Sequence, residues 1–172
     1  MQITNTSTQR WVVMGVSGCG KSEVGRQLAA RLGVEFVEGD AYHSAANVAK
    51  MAAGIPLTDD DRAEWLHTLQ AHIASARAAG VGLVLACSAL KRRYRDLLRV
   101  GDPDLRFVHL DGERALIAQR MQARTAHFMP TSLLDSQLRD LEPLQEDEHG
   151  MRLDIVKPPE ALAQEILVNK GQ

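Results

Sequence analysis

The chain has 172 residues, which suffices for one globular domain with a hydrophobic core and is too short for two domains of ordinary size. Apolar residues make up 45% and charged residues 24%, a composition that excludes disordered and fibrous proteins. The formal charge is −2, with 20 Lys and Arg against 22 Asp and Glu. This balance gives no general attraction to nucleic acid or to an anionic membrane, so we expect neither as a partner.

The N-terminus and the cysteines bear on where the protein works. Residues 1–9 are polar and lack the basic start and apolar run of a secretory signal, so we expect a flexible tail. No apolar stretch approaches the ~20 residues needed to span a bilayer. Cys19 and Cys87 have no Cys or His partner at metal-ligand spacing, so neither zinc nor a disulfide framework is expected. A cytoplasmic location is the expectation.

The predicted elements begin with an apolar strand over residues 11–14, which leads into a glycine-rich turn. A helix follows from Lys21, and its apolar residues recur every four positions until Gly33 ends it. A second apolar strand over 34–37 leads into the polar residues 38–40. The chain therefore starts as strand, tight loop, helix and strand.

Capping residues mark the next two helices. Ser44 is expected to cap a short helix that runs through Met51 and ends at Gly54. Thr58 and Asp61 have the spacing of a capping box, with Asp in place of the usual Glu, at the start of a long amphipathic helix. Both predicted helices lie between the second strand and the third.

The second half of the chain alternates apolar runs with helical patterns. Strands are predicted over 81–86, 107–110 and 153–156, and helices over 91–99, about 113–124, about 132–142 and 159–168. Alternating strands and helices predict an α/β fold in which a parallel sheet of five strands carries helices on both faces. Nothing in the sequence divides the chain, so we expect one domain over 1–172.

Residues 15–22 fit the pattern G-x-x-x-x-G-K-[ST] between a predicted strand and a predicted helix, and we call them the phosphate loop. Backbone N–H groups and the helix N-terminus would face phosphate oxygens there, from Gly15, Val16, Ser17, Gly18, Cys19 and Gly20. Lys21 would reach the β- and γ-phosphates, and the Ser22 hydroxyl would ligate Mg²⁺. The alternative is a chance glycine-rich turn. The pattern favours a nucleoside triphosphate with Mg²⁺.

The phosphate loop alone does not separate kinases, GTPases and ATPases. The guanine-binding element Asn-Lys-x-Asp is not completed, because Asn169-Lys170 is followed by Gly171-Gln172. Residues 147–150 match the Asp-x-x-Gly switch of GTPases, yet they follow a polar stretch rather than an apolar strand. These two observations disfavour a GTPase.

A small-molecule kinase also needs a base and groups that close on the phosphates. Asp40 ends the second predicted strand, at the sheet edge where ligands bind, and is the candidate base; a turn or capping role is the alternative. Arg120 and Arg124 lie one turn apart on one helical face. They fit a lid over about 120–142 that closes on ATP phosphates, the alternative being two solvated arginines.

Many blocks of the sequence resemble the gluconate kinases. In chain order they are 15–22; 39–40 with His43, Asn47 and 50–51; 54–57 with Asp59, 61–62 and 65–66; 87–91 with 94–96; Arg120, Arg124 and 127–130; and 136–137 with 141–142 and 147–148. The resemblance implies a P-loop NTPase fold of the nucleoside-monophosphate-kinase type, with a helical lid. It also suggests a homodimer.

The resemblance further implies that ATP phosphorylates D-gluconate at its 6-hydroxyl, with Asp40 accepting or orienting the hydroxyl proton. The implied ligands of gluconate's carboxylate and hydroxyls, besides Asp40, are His43, Arg62, Lys91, Arg95 and His127. An Arg can hold a carboxylate with two hydrogen bonds. Taken singly, His43 is equally well a structural residue at a helix start, and Arg62 a solvated charge. A kinase for shikimate or another polyol acid and a non-catalytic nucleotide-binding regulator are the alternatives.

Overall fold

Five parallel strands form one sheet at the centre of the computed structural model, which describes residues 8–123, 130 and 132–169. The strands are β1 (Arg10–Met14), β2 (Glu35–Glu38), β3 (Leu83–Ala86), β4 (Arg106–Asp111) and β5 (Gly150–Asp154). They lie in the order β2-β3-β1-β4-β5, and every neighbouring pair is parallel. The predicted α/β class with a parallel five-stranded sheet is confirmed.

The helices are α1 (Lys21–Leu32), α2 (Ala45–Ala52), α3 (Asp59–Ala79), α4 (Arg92–Gly101), α5 (Arg114–Ala123), α6 (Ser132–Asp140) and α7 (Pro159–Asn169). Two short 3₁₀ helices cover Gly39–Tyr42 and Glu146–Glu148. Connections run from β1 outward to β2, back to β3, and then across β1 to β4, so the direction of winding reverses beside β1. In open parallel sheets such a reversal opens a crevice at the carboxyl ends of the strands.

Both faces of the sheet are covered, which explains why the central strands are apolar throughout. On β1, Trp11 and Val13 point into a core formed with α1, α5 and α7, whereas Val12 and Met14 point into a second core formed with α3 and α4. All four side chains are at most 2% exposed. A strand with two buried faces cannot alternate apolar and polar residues, so a continuous apolar run is its signature.

The predicted caps are present. The Ser44 side chain accepts a hydrogen bond from the Asn47 backbone N–H at the start of α2. Thr58 and Asp61 exchange both hydrogen bonds of a capping box at the start of α3. Gly33 ends α1 in the left-handed conformation, where its N–H reaches the carbonyls of the last turn. These local interactions fix where α3 begins, and with it the position of Arg62 one turn later.

Most predicted element boundaries are shifted by one or two residues, and two further differences concern the sheet. The last strand covers Gly150–Asp154 rather than 153–156, because it lies at the sheet edge and Leu153 is its one buried residue. The Gln9 carbonyl accepts a hydrogen bond from the Leu83 N–H, so the chain joins the sheet within the range assigned to the tail. Within the described ranges, no helix is both long and apolar enough to cross a membrane.

Candidate active site

The phosphate loop connects the end of β1 to the start of α1, as predicted. Gly18 has a φ of +83°, and a Cβ there would lie 2.5 Å from the Met121 side chain on α5. Only glycine fits this combination of left-handed backbone and close packing. The loop is therefore held tightly between the sheet and α5, with the N-terminus of α1 at its end.

Lys21 and Ser22, the two phosphate-loop side chains with predicted roles, both have partners inside the protein. The Lys21 ammonium donates a hydrogen bond to the Val16 carbonyl at 3.0 Å. The Ser22 hydroxyl donates to the carboxylate of Glu38, the last residue of β2. Glu38 was not among the predicted site residues. Its position at the carboxyl end of a strand, two residues before Asp40, was the available signal.

Gln137 on α6 also reaches the phosphate loop. Its side-chain oxygen accepts a hydrogen bond from the Ser17 backbone N–H at 2.7 Å. Gln137 lies in one of the blocks that resemble the gluconate kinases, and no role was predicted for it. The contact joins α6, which belongs to the predicted lid region, to an amide that was expected to face phosphate.

A pocket at the carboxyl ends of β1, β2 and β3 brings five of the predicted site residues together: Ser17, Lys21, Asp40, His43 and Arg62. Its lining consists of Ser17, Lys21, Asp40, His43, Met51, Leu57, Arg62, Trp65, Ser88 and Gln137. Phosphate-loop residues thus face the candidate base and two candidate substrate ligands across one cavity. Seven of the ten lining residues are polar or charged, which suits a hydroxylated anion, because buried hydroxyls and charges need hydrogen-bond partners.

Asp40 lies in the 3₁₀ helix that follows β2, with its side chain exposed. Two features fix its position through Gly39. The Trp65 indole N–H donates to the Gly39 carbonyl at 2.7 Å. A Cβ on Gly39 would lie 2.4 Å from the Ala86 carbonyl oxygen, so β2 and β3 approach too closely for any other residue.

His43 is both packed and part of the pocket lining. Its ring stacks on Trp65 with centroids 4.1 Å apart and an interplanar angle of 18°. Burial lowers the pKa of His43, the nearby Asp40 raises it and Arg62 lowers it, so the net shift is downward. The ring is therefore neutral near pH 7 and offers one donor and one acceptor. Trp65 in turn belongs to the core and also lines the pocket.

Of the remaining cations with predicted substrate roles, the structure brings Arg62 into the pocket. Arg62 is 7% exposed, which removes the alternative of a solvated charge. Lys91 is not among the pocket-lining residues; its ammonium lies 3.2 Å from Asp59. That hydrogen bond raises the pKa of Lys91, which stays charged.

Arg95 requires a correction. Its side chain is fully buried, and its guanidinium donates two hydrogen bonds to Glu148, at 2.7 and 3.0 Å. The carbonyls of Ala89 and Leu90 accept further bonds at 2.9 and 3.1 Å. Because these partners occupy the guanidinium away from the pocket, Arg95 is not placed to bind a substrate. It holds the β3–α4 connection instead.

Arg120 lies on α5 and donates a hydrogen bond to the Ile155 carbonyl at 2.8 Å, just beyond β5. The same helix packs against the phosphate loop at Gly18. Arg124 and His127 lie outside the described residues, so their predicted roles stay predictions.

The oxygen donors beside Lys21 suit Mg²⁺. A serine hydroxyl and a carboxylate, from Ser22 and Glu38, are the hard ligands that this ion prefers. Among the described residues, no group of three or more His, Cys, Asp or Glu side chains forms a protein-only metal site. Mg²⁺ is commonly held by one or two protein oxygens together with substrate phosphates, and this donor set fits that arrangement.

Comparison with known proteins shows which family the chain resembles over most of its length. The family model described as "AAA domain" matches residues 11–144. A gluconokinase of Gluconobacter oxydans is 50% identical over 156 residues, which cover 91% of this chain and 88% of the relative. The range of the family model includes the phosphate loop and every pocket-lining residue.

Solved structures agree with the sequence comparison. A sugar kinase from Janibacter is 50% identical with a TM-score of 0.89, covering 94% of this chain and 93% of that chain. A gluconokinase from Sinorhizobium meliloti is 46% identical with a TM-score of 0.82, covering 94% and 90%. A shikimate kinase from Acinetobacter baumannii, at 19% identity and a TM-score of 0.59, shares the fold. The predicted nucleoside-monophosphate-kinase type of P-loop fold is confirmed.

Proposed function

Because this chain belongs to the gluconokinase family, we propose that it transfers the γ-phosphoryl group of ATP to the 6-hydroxyl of D-gluconate, giving 6-phosphogluconate and ADP. The protein is an enzyme, a phosphotransferase that acts on a sugar acid. One observation carries the proposal. A single pocket holds the phosphate-loop lysine Lys21, the carboxylate of Asp40 and the buried cation Arg62. These are the parts needed for a phosphoryl donor, a hydroxyl nucleophile and an anionic acceptor.

The donor side of the reaction depends on the phosphate loop. The loop amides and the N-terminus of α1 would bind the phosphates of ATP, as glycine-rich loops before helices do. Lys21 would leave the Val16 carbonyl for the β- and γ-phosphates and stabilise the charge that develops on them. Mg²⁺, held by Ser22 with Glu38 beside it, would neutralise phosphate charge. Arg120 and Arg124 would add positive charge from the lid side.

The acceptor side depends on Asp40. Its carboxylate would accept the proton of the 6-hydroxyl while the hydroxyl oxygen bonds to phosphorus and the bond to ADP breaks. Arg62 would bind the carboxylate of gluconate at the other end of the substrate. His43, neutral and stacked on Trp65, would hydrogen-bond a hydroxyl between them. Lys91, which forms an ion pair with Asp59 outside the pocket lining, would add positive charge near the substrate.

Acceptor identity is tested by a panel assay. The purified protein is incubated with Mg-ATP and gluconate, shikimate, related sugar acids or no acceptor, and ADP release is measured. We expect release with gluconate well above the no-acceptor control and little with shikimate. Phosphorus NMR of the product locates the phosphate on O6. Release of ADP without dependence on any acceptor would overturn the proposal and favour the nucleotide-binding regulator.

The variant Lys21→Ala serves as the inactive control for that assay, because it removes the charge that stabilises the transferring group without touching the core. We also expect activity to disappear with EDTA and return with added Mg²⁺. A cytoplasmic location and a homodimer stay predictions. Fractionation of cells and size-exclusion chromatography with light scattering test them.

A further inference from the structure

The partners of Arg62 are unusual for a buried guanidinium. Among the described residues its hydrogen-bond partner is the hydroxyl of Tyr94, 3.0 Å from Nη1, and the guanidinium carbon lies 5.3 Å from the centre of the same ring. No carboxylate in the described part of the chain lies within 4.0 Å of it. A guanidinium has five N–H donors and a full charge, and a buried charge without a counterion is costly. The arrangement suits a group that awaits an anion.

The Tyr94 hydroxyl has its direction set by a second bond. Its single hydrogen is donated to the Asp59 carboxylate, so its oxygen accepts from Arg62. Burial and the bond to Asp59 raise the pKa of Tyr94, which therefore stays protonated at neutral pH. Hydrogen bonds from Tyr94 and then Lys91 lower the pKa of Asp59, which stays charged. The order Arg62 to Tyr94 to Asp59 is thus fixed chemically.

Asp59 is itself anchored from α4. Lys91, at the N-terminus of α4, lies 3.2 Å from one carboxylate oxygen, and Arg93 lies 2.7 Å from the other. Asp59 is the first residue of α3, one turn before Arg62. The capping box at the start of α3 therefore fixes the position of Asp59, and the two cations of α4 hold its carboxylate.

The phenol between Arg62 and Asp59 has an electrostatic consequence. A carboxylate in direct contact with Arg62 would orient it and would also cancel most of its charge. A neutral hydroxyl orients the guanidinium and leaves its charge for the pocket. We propose that Tyr94 and Asp59 are positioning residues that hold Arg62, still uncompensated, for the carboxylate of the acceptor. This inference rests on the proposed function, and it adds the residues that set the preference of the enzyme for an acceptor with a carboxylate.

Tyr94→Phe tests the inference, because it keeps the ring and removes the hydroxyl. We expect KM for gluconate to rise about fivefold, within the range of one lost hydrogen bond, with kcat within about twofold of wild type and KM for ATP unchanged. Thermal unfolding of the variant reports any general loss of structure. Asp59→Asn, which can still accept from the hydroxyl, should give a smaller rise and is the second variant if Tyr94→Phe folds poorly.

A double-mutant cycle separates positioning from general packing. In an Arg62→Gln background, Tyr94→Phe should no longer change KM for gluconate, because Tyr94 acts through Arg62. Arg77→Gln, an exposed change in the last turn of α3 at the other end of the helix from Arg62, is the matched control and should leave KM within twofold. An unchanged KM in Tyr94→Phe, or the same rise in both backgrounds, would overturn the inference. If wild type releases no ADP with gluconate, the proposed function fails instead.

Discussion

Asp40 is held by its neighbours rather than by its own side chain. Its carboxylate is exposed at the mouth of the pocket, while Gly39 before it is fixed against β3 and bonded to Trp65. A base needs this combination, because its position must be constant while its oxygen atoms remain open to the substrate. The fixed backbone at Gly39 keeps the position of Asp40 constant, and the exposed side chain leaves its carboxylate open to the substrate.

We therefore predict that Asp40→Asn lowers kcat by about 10²-fold or more, since general base catalysis typically contributes 10²–10⁴-fold. KM for ATP should change less than about twofold, because the phosphate loop is untouched. Steady-state kinetics with each substrate varied in turn measures both. Asp60→Asn, an exposed aspartate in the first turn of α3, is the control and should behave as wild type. Near-normal kcat in Asp40→Asn would remove Asp40 from the base role.

Local motifs of the site could be predicted from the sequence, whereas the roles of individual arginines could not. The phosphate loop and Asp40 could be predicted, because spacing and position at a strand end are local properties. Arg62 and Arg95 look equivalent in sequence, yet one lines the pocket and the other is paired to Glu148, 53 residues away. No local pattern contains that pairing. Glu38 was not predicted for a different reason. Its position at the end of a strand is a local feature, but that position is equally well explained by a structural role in β2.

At the scale of elements, the approach of β2 to β3 places the base beside the phosphate loop. β2 pairs with β3 up to Glu38 and Ala86, and the chain then turns immediately into the 3₁₀ helix. Gly39 allows the turn because its missing side chain leaves room for the Ala86 carbonyl. The close approach of β2 and β3 therefore requires glycine at position 39.

Gly39→Ala should therefore act on both stability and catalysis. A Cβ would lie 2.4 Å from the Ala86 backbone oxygen. Because this neighbour is backbone, no side-chain rotation can relieve the clash, so β2 must shift. We expect a loss of unfolding free energy of about 1–3 kcal/mol, as for other overpacked sites. We also expect kcat to fall further than KM for ATP changes, because Asp40 moves with its neighbour. Chemical denaturation and steady-state kinetics measure these; a variant with wild-type stability and kcat would contradict the argument.

Strands with two buried faces were predictable, and of the two edge strands β2 was predicted within one residue whereas β5 was not. β1, β3 and β4 are apolar runs in the sequence because both faces of each strand are covered. β5 pairs with β4 alone and is buried only at Leu153, so its register depends on backbone hydrogen bonds. Such a strand has no strong pattern to detect. Its predicted range was displaced toward the apolar residues that follow.

At the scale of the whole molecule, one buried cluster of charges ties distant parts of the chain together. Glu148 is fully buried and accepts hydrogen bonds from Arg95 and Arg99 of α4. Arg95 also binds the carbonyls of the β3–α4 connection, beside the pocket residue Ser88. The loop before β5 is thereby connected to one wall of the site, although its residues are far from the pocket in sequence.

Glu148 should make stability depend on pH. Burial alone would raise its pKa, but hydrogen bonds from Arg95 and Arg99 dominate and lower it from 4.5 to about 2. A carboxyl with a lowered pKa in the folded state stabilises the fold fully above its unfolded value and loses that contribution as the pH falls. We therefore predict a loss of unfolding free energy between about pH 4.5 and 2. Urea denaturation at a series of pH values measures it, and a flat profile in that range would contradict the prediction.

Glu148→Gln tests the same cluster at neutral pH. The amide keeps the shape of the side chain and leaves the buried Arg95 without its counterion, whereas Arg99 keeps its ion pair with Asp96, so we expect a loss of about 3–5 kcal/mol. The acid-dependent loss between about pH 4.5 and 2 should shrink in this variant, because the titrating group is gone. Glu146→Gln, an exposed change two residues away, is the matched control. Equal stability of both variants would mean that the buried charges contribute through packing alone, and that the wall of the site is held without them.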